Sequence, residues 1–517
     1  MAFYDEVFTP SGGPRPHTEA LAGALTQLGR EQLADAGRRR DAIFMQQGIT
    51  FDAGGVGGDD SNGPVRDRPF PLDLVPRVIP AAEWTQIKRG LAQRIRALDR
   101  FVDDVYHGRE IVHDGVVPWE LIVSRPAFAR EAHGIRPPGG VYCHVSGCDL
   151  VRDADGTWKV LEDNVRTPSG ISYVLENRVA MLRLLPRLFD DYRVRPVDHY
   201  PALLANALRQ VAPTEGEEEA TVVVWTPGPF NSAYFEHTFL ARQMGVELVE
   251  ASDLVVRDAA CYIRTTNGLQ RVHAIYRRID DDFMDPLEFR PDSLLGVPGL
   301  MRAYRAGTVA IVNAVGTGVA DDKAIYHYVP EMIRYYLSEE PILANVTTYL
   351  MADGEQRRHV LDRLHEMVVK PTSESGGKGV FIGPAAGEEE LARQADIVRR
   401  EPERWIAQEL VQLSTCPTAS PDGSLAPRHV DLRPFAVFGE DIHIVPGGLT
   451  RVALREGSMI VNSSQGGGSK DTWVLEDDGD GFTERGRVAA DSWARPRMPD
   501  LRTGDWTGQQ QQQQQQR

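Results

Sequence analysis

The chain has 517 residues, so two to four packed units are expected rather than one. Hydrophobic residues at 42% and charged residues at 25% match a globular protein, and 57 basic against 74 acidic side chains leave a net charge of −17. That balance disfavours a nucleic-acid coat or an anionic-membrane binder, and Ala306–Ala320, the most apolar run, is too short to span a bilayer and carries Asn313 and three glycines.

In chain order, residues 1–74 read as an N-terminal arm with one helical stretch, Thr18–Met45, and a flexible Gly-rich loop at Gly54–Pro64. Nothing in MAFYDEVFTPSGG resembles a secretory leader, so a cytoplasmic location is expected. Cys143 and Cys148 lack a second pair, which argues against zinc and against a disulfide framework. Ile87, Leu91, Ile95, Leu98, Val102 and Val105 recur every three or four residues, which predicts a helix over Trp84–His107. YCHVSGCDLV and WKVLEDN read as a hairpin turning at Asp153–Gly156, and helical spacing returns across Ser172–Leu188. Residues 75–200 form one unit on this reading. Residues 201–322 form a second, an open and largely parallel sheet with strands at Ala220–Trp225, Val246–Val249, His273–Arg277 and Val309–Asn313 around a helix at Ala233–Met244. Residues 323–475 form a third, predicted helical to about Met351 and then strand-rich, with MVVK (Met367–Lys370), IAQELV (Ile406–Val411) and at least two strands in Arg428–Val452. Residues 476–517 turn polar, and the run Gln509–Gln516 cannot build a core, which predicts a disordered tail.

Several constellations carry chemistry. Lys370 ends a buried strand, and a Gly-rich loop containing Gly377-Lys378-Gly379 follows it. A lysine there is costly without an anion, and such a loop brings backbone N–H groups to phosphates. The spacing is not that of a Walker A loop. Glu162 and Asn164 share a strand face that Asp149 of the partner strand can reach, a hard-oxygen set suited to Mg²⁺. Arg166 and the Pro168-Ser169-Gly170 turn offer a guanidinium and backbone donors nearby. Gln408, Glu409, Leu410 and Val411 present an edge that can hydrogen-bond an adenine, though a tetrapeptide of this kind is common. Arg433 and Arg451 interrupt apolar strands, facing either solvent or a site. The loop Asn462–Asp471 is a further phosphate candidate. Arg277 and Arg278 end a strand of the parallel sheet, where ligands bind, and can take a substrate carboxylate.

Together these pieces resemble an ATP-grasp enzyme in permuted order, with the Glu-x-Asn strand preceding the lysine and its lid. The match is to the circularly permuted ATP-grasp family, bacterial proteins related to the glutathionylspermidine synthetase branch. It is carried by GCDLVRDADGTWKVLEDNVRTPSGISYVLENR, YRRIDDDFMDPLEF, VGTGVADDKAIYHYVPEM, VVKPTSESGGKGV, LRPFAVFG and GGLTRVAL. The resemblance implies a mixed α/β (α+β) fold, with antiparallel-sheet ATP-binding subdomains and an inserted open α/β domain. It implies an ATP-dependent carboxylate–amine ligase that forms an amide through an acyl phosphate and releases ADP and phosphate. ATP and Mg²⁺ are its cofactors, and an acid, small or peptidic, and an amine are its substrates. By position Lys370 and Lys378 would meet phosphates within the lid Ser375, Gly376, Gly377 and Gly379, and Gln408–Val411 would line adenine. Asp149, Glu162 and Asn164 would hold the metal, Arg433 would face the transferred phosphoryl, and Arg277, Arg278 and Ser169 would hold the acid. The synthetase branch has an arginine where this chain has Gly147, leaving Arg166 or Arg152 as the substitute. A phosphotransferase and a catalytically silent nucleotide-binding scaffold are the alternatives. No nucleic-acid or membrane partner is expected, and a homo-oligomer is left open.

Overall fold

The computed structural model describes residues 3–51, 68–214, 219–373, 379–455, 457–458, 461 and 467–477. Ser375, Gly376, Gly377 and Lys378, the loop at 54–64 and the glutamine run lie outside the described residues, as does part of the loop Asn462–Asp471.

A four-stranded parallel sheet forms the second unit, in the spatial order Ala310–Val312, Ala274–Arg277, Val222–Trp225, Glu247–Val249. Val222–Trp225 is buried on both faces. Val223 and Trp225 enter one apolar cluster, while Val222 and Val224 enter another with Leu204, Leu208 and Leu240 of the covering helices Tyr200–Gln210 and Tyr234–Met244. This two-sided burial explains the uninterrupted valine run. The first and third strands in sequence lie side by side, so the crossovers diverge there and leave a crevice beyond their C-terminal ends. A three-stranded antiparallel sheet, Leu254–Arg257, Ala260–Thr265 and Gly268–Arg271, interrupts the unit and was not anticipated from the sequence.

The remaining sheets are small. Asp149–Arg152 and Trp158–Glu162 form the expected antiparallel hairpin, with Asp149 opposite Glu162 and a register shift after Asp149. The long helix Ala81–Tyr106 buries Ile87, Leu91, Ile95, Leu98, Val102 and Val105. Its Arg94 makes a buried bidentate pair with Asp163, 2.7 Å on each arm. Asp163 therefore points to the helix, and its neighbours Glu162 and Asn164 to the opposite face. A second antiparallel sheet has the order Thr348–Leu350, Trp405–Glu409, Met367–Pro371, Phe381–Ile382.

Two expectations are corrected. The chain is not helical from Lys323 to Met351. Helices Lys323–Tyr326 and Val329–Leu337 end at Ser338, whose φ of 54° is left-handed, and strands Ala344–Asn345 and Thr348–Leu350 follow. The end of the candidate phosphate loop is strand. Gly468–Val474 is wholly buried and pairs in parallel with Leu72–Ile79. Its Lys470 is bonded to Asp73 and to the carbonyls of Val75 (3.1 Å) and Pro417 (2.8 Å), which leaves it no access to a ligand. The N-terminal arm is packed over its described part. Glu6 is 1% exposed and joins the buried Arg77 and Arg152.

Candidate active site

A cleft of about 1010 Å³ opens between the hairpin, the C-terminal end of the parallel sheet and the turn after Pro371. Its lining includes Glu162, Asn164, Arg166, Arg278, Lys323 and Arg433. The hairpin places Glu162 and Asn164 on this face, as period two requires. Asn164 Nδ2 donates to the Gly147 carbonyl at 2.9 Å. Asp149 sits directly behind, 0% exposed, with both oxygens committed. Arg433 pairs with it at 2.5 and 2.8 Å, and Arg451 adds a third contact at 2.5 Å. Burial pushes the Asp149 carboxyl up, but the Arg433 and Arg451 guanidiniums outweigh it and hold the group well below the usual carboxylate range. Arg451 is itself held by Asp431 at 2.9 Å. Asp149 thus lies against Glu162 but off the cleft lining, behind two arginines that it holds in place.

Lys370 lies on the adjoining sheet and donates to Gln408 Oε1 at 2.6 Å. Gln408 Nε2 in turn reaches Thr348 Oγ1 at 3.0 Å and the Leu161 carbonyl at 3.4 Å, which ties the lysine sheet to the Glu162 strand. Burial lowers the Lys370 ammonium to about 8, opposed by nearby Glu162 and reinforced by Lys323. Lys323 was not singled out from the sequence. It opens a helix capped by Asp322, whose side chain accepts the Ala324 N–H at 2.8 Å, and its Nζ lies 4.0 Å from Glu162. The Asp-Asp-Lys string was the available signal. Glu409 is exposed and accepts from the Tyr349 hydroxyl at 3.1 Å, and its backbone N–H is spent on the Thr347 carbonyl at 3.1 Å. Leu410 and Val411 follow the strand, half-buried. Gly379 re-enters the described residues against Pro371, with a left-handed φ of 67°.

The two candidate carboxylate-binding arginines part company. Arg277 is 0% exposed and spends its guanidinium on the carbonyls of Asn313, Ile279 and Ala314 (2.8 to 3.0 Å) and on Asp281 (2.6 Å), so it braces the sheet end and does not reach the cleft. Arg278 lines the cleft, bonded to Ser169 Oγ at 2.5 Å, the Pro168 carbonyl at 2.9 Å and Glu236 at 3.3 Å. Glu236 also accepts the Gly170 N–H at 2.7 Å, so the turn Pro168–Gly170 is fastened to the parallel-sheet unit. Arg152 is ruled out as the substitute for the arginine absent at Gly147, because Glu6 and Glu83 take its guanidinium at 3.0 Å each. Arg166 lines the cleft. At Gly147 a Cβ would lie 3.3 Å from Arg433 Cδ and 3.1 Å from Pro168 Cβ, so Arg433 fills the space a side chain would need.

For Mg²⁺, Glu162 and Asn164 supply hard oxygens on one wall, which fits that ion's preference. Asp149 fits only if an arginine leaves it. No described group gathers three or more His, Cys, Asp or Glu side chains for a metal. Cys143 and Cys148 are both buried and unpaired.

A lysine-bearing antiparallel sheet joined to an acidic hairpin, with a cleft between that hairpin and an α/β unit, is the architecture of an ATP-grasp protein. The chain belongs to the circularly permuted ATP-grasp type 2 family, whose model matches residues 76–453. An uncharacterized Synechocystis protein is 54% identical over 475 residues, 92% of this chain and 97% of that one. A Frankia alni protein bearing the name "Putative glutamate--cysteine ligase 2-3" is 45% identical over 92% of this chain but only 54% of its own length. Among solved structures, a glutathione synthetase-like effector of Globodera pallida in apo form superposes with a TM-score of 0.58 at 13% identity. The superposition covers 86% of this chain and 98% of the effector, and it bears on the fold alone. No described helix is long and apolar enough to cross a membrane.

Proposed function

We propose that the chain is an ATP-dependent ligase that joins a carboxylate to an amine through an acyl phosphate. The observation that carries this reading is convergence. Arg433 and Lys323 flank Glu162 at 3.7 and 4.0 Å on the wall of a cleft large enough for further substrates. Asn164 and Arg451 line the same cleft, and Lys370 on the adjoining sheet interacts electrostatically with Glu162. Phosphoryl transfer asks a protein mainly to position groups and offset charge, and this is the set of groups it needs.

A carboxylate oxygen of the acid attacks the γ-phosphorus, the bond to the bridging oxygen breaks, and ADP departs with the electron pair. The amine nitrogen then attacks the acyl carbon and expels phosphate, losing a proton as the amide forms. Lys370 and Lys378 would neutralise the phosphate chain, with Gly379 and the lid Ser375, Gly376 and Gly377 closing over it. Arg433, steadied by Asp149, would meet the transferred group. Gln408–Val411 would border the base, and Arg278 with Ser169 would border the acid. Mg²⁺ held by Glu162 and Asn164, with Asp149 joining once an arginine leaves it, would offset phosphate charge. The Frankia name accords with a ligase, but the match takes in about half of that protein, so its stated substrates do not transfer.

The test is product chemistry. With MgATP and a pool of small acids, hydroxylamine should trap a hydroxamate, ADP and phosphate should form together, and oxygen-18 from the carboxylate should appear in phosphate. AMP as product would refute the reading. ADP without label in phosphate would move the protein to phosphotransferase chemistry.

A further inference from the structure

Arg166 is gripped by its backbone and loosely held by its side chain. Asn313 Nδ2 donates to the carbonyls of Val165 (2.7 Å) and Arg166 (3.1 Å), and the Asp321 carboxylate accepts the N–H groups of both. The guanidinium lies 3.6 Å from Asp280 and 3.5 Å from Asp321. These are ion-pair distances too long for good hydrogen bonds, and the buried Nε has no hydrogen-bond partner. Asp280 is 7% exposed, lines the cleft, and its carboxylate accepts no hydrogen bond from any described residue.

A carboxylate this buried without a hydrogen bond is costly unless something meets it. Asp281 is taken by Arg277. Arg166 stands between Asp280 and Asp321, and Lys323 acts on Asp321 from further off, so among the described residues Asp280 has an ion pair with the loosely held Arg166 alone.

We infer that Asp280 and Asp321 form the binding site for a primary ammonium group, the protonated end of the amine substrate, and that they share Arg166 with the carboxylate of the acid. This rests on the ligase reading above. When a carboxylate draws Arg166 toward itself, the two aspartates lose their cation and the ammonium takes its place. Each substrate therefore strengthens binding of the other. Asn313 and the backbone contacts of Asp321 act as positioning groups that keep Arg166 at the junction while its side chain changes partner.

Calorimetry on the full chain tests this with n-butylammonium as the amine probe and butyrate as the acid probe. Butylammonium should bind the wild type, more tightly when butyrate is present. Asp280→Asn should weaken it by roughly tenfold or more, since a charged hydrogen-bond partner is lost. Arg166→Gln should bind butylammonium more tightly without butyrate and show no enhancement with it, which a purely structural role would not produce. Glu288→Gln removes the same charge from the rim, where Arg305 neutralises Glu288 at 2.8 Å, and should change nothing. No binding to the wild type, equal binding to Asp280→Asn, or equal weakening by Glu288→Gln would each overturn the site. A non-hydrolysable ATP analogue is titrated in parallel into wild type and Asp280→Asn, with equal affinity expected. Its failure to bind the wild type would sink the ligase reading, while the butylammonium titrations would still decide the ammonium site.

Discussion

Replacing Lys370 with methionine should stabilise the nucleotide-free protein at neutral pH and destabilise it in alkali. The lowering of the Lys370 ammonium from 10.5 to about 8 is mainly the cost of burying its charge, and corresponds to roughly 3 kcal/mol. Against this, methionine loses the 2.6 Å bond to Gln408 Oε1 and leaves a buried acceptor unpaired, worth about 1–2 kcal/mol. A net gain of about 1–2 kcal/mol is expected at pH 7. Because the folded value is depressed, the unfolded chain holds more protons between about 8 and 10.5, so wild-type stability rises through that window while the variant has no such term. By about pH 10.5 only the lost hydrogen bond remains, and the difference should change sign. Urea unfolding of both proteins at pH 7 and across pH 8–10.5, compared pairwise, reads this directly. A Lys370→Met variant that is destabilised equally at every pH would refute the reasoning and make Lys370 a satisfied structural residue. In the same variant, affinity for a non-hydrolysable ATP analogue should fall, opposite in direction to the gain in stability.

Glu162→Ala should reduce Mg²⁺-dependent ADP release by orders of magnitude, with a melting temperature close to wild type, because Glu162 is only partly buried and its ion pairs are long at 3.7 and 4.0 Å. Arg94→Met strands the buried Asp163 carboxylate and should cost about 3–5 kcal/mol in urea unfolding. Gly90→Ala would ordinarily favour a helix by about 1 kcal/mol, but a Cβ there would sit 2.5 Å from Leu343 Cγ. Net destabilisation by about 1–2 kcal/mol is expected, and Leu343→Ala in the same chain should relieve it in a double-mutant cycle.

Legibility in the sequence followed periodicity and failed at long-range pairing. The valine run Val222–Trp225, the hairpin that sets Asp149 against Glu162, and the apolar face of Ala81–Tyr106 each follow from local spacing, and the structure has them. The segment after Lys323 misled because its apolar residues keep a helical rhythm past the point where Ser338 adopts a left-handed conformation and Pro341 removes a donor. Adjacent Arg277 and Arg278 look interchangeable in the sequence. Strand alternation sends one into backbone carbonyls and the other to the cleft wall. No local pattern announces that Asp149 is already met by Arg433 and Arg451, which come from a distant stretch of chain. Lys323 stayed hidden because a lysine behind a helix-capping aspartate is an ordinary surface sign. Asp280 was passed over as a member of an acidic turn. Its want of a hydrogen bond is a three-dimensional fact.

The pairing of Leu72–Ile79 with Gly468–Val474 bears on the order in which the molecule is assembled. A ribosome delivers the first of these strands early, together with the helix Ala81–Tyr106, yet its parallel neighbour arrives only after nearly all the described residues have been made. The parallel sheet of the second unit is complete by Val312 and needs nothing later for its own strand pairing. A nascent chain therefore carries a finished middle beside an unpaired early edge, a template for pairing with the wrong chain. Arg77, on that early strand, already has Glu6 to its N-terminal side, but its contact with the Asp431 carbonyl waits for the end. The helix Glu19–Gln47, made before this strand, packs on it in the finished fold and so is at hand to meet it before Gly468–Val474 arrives.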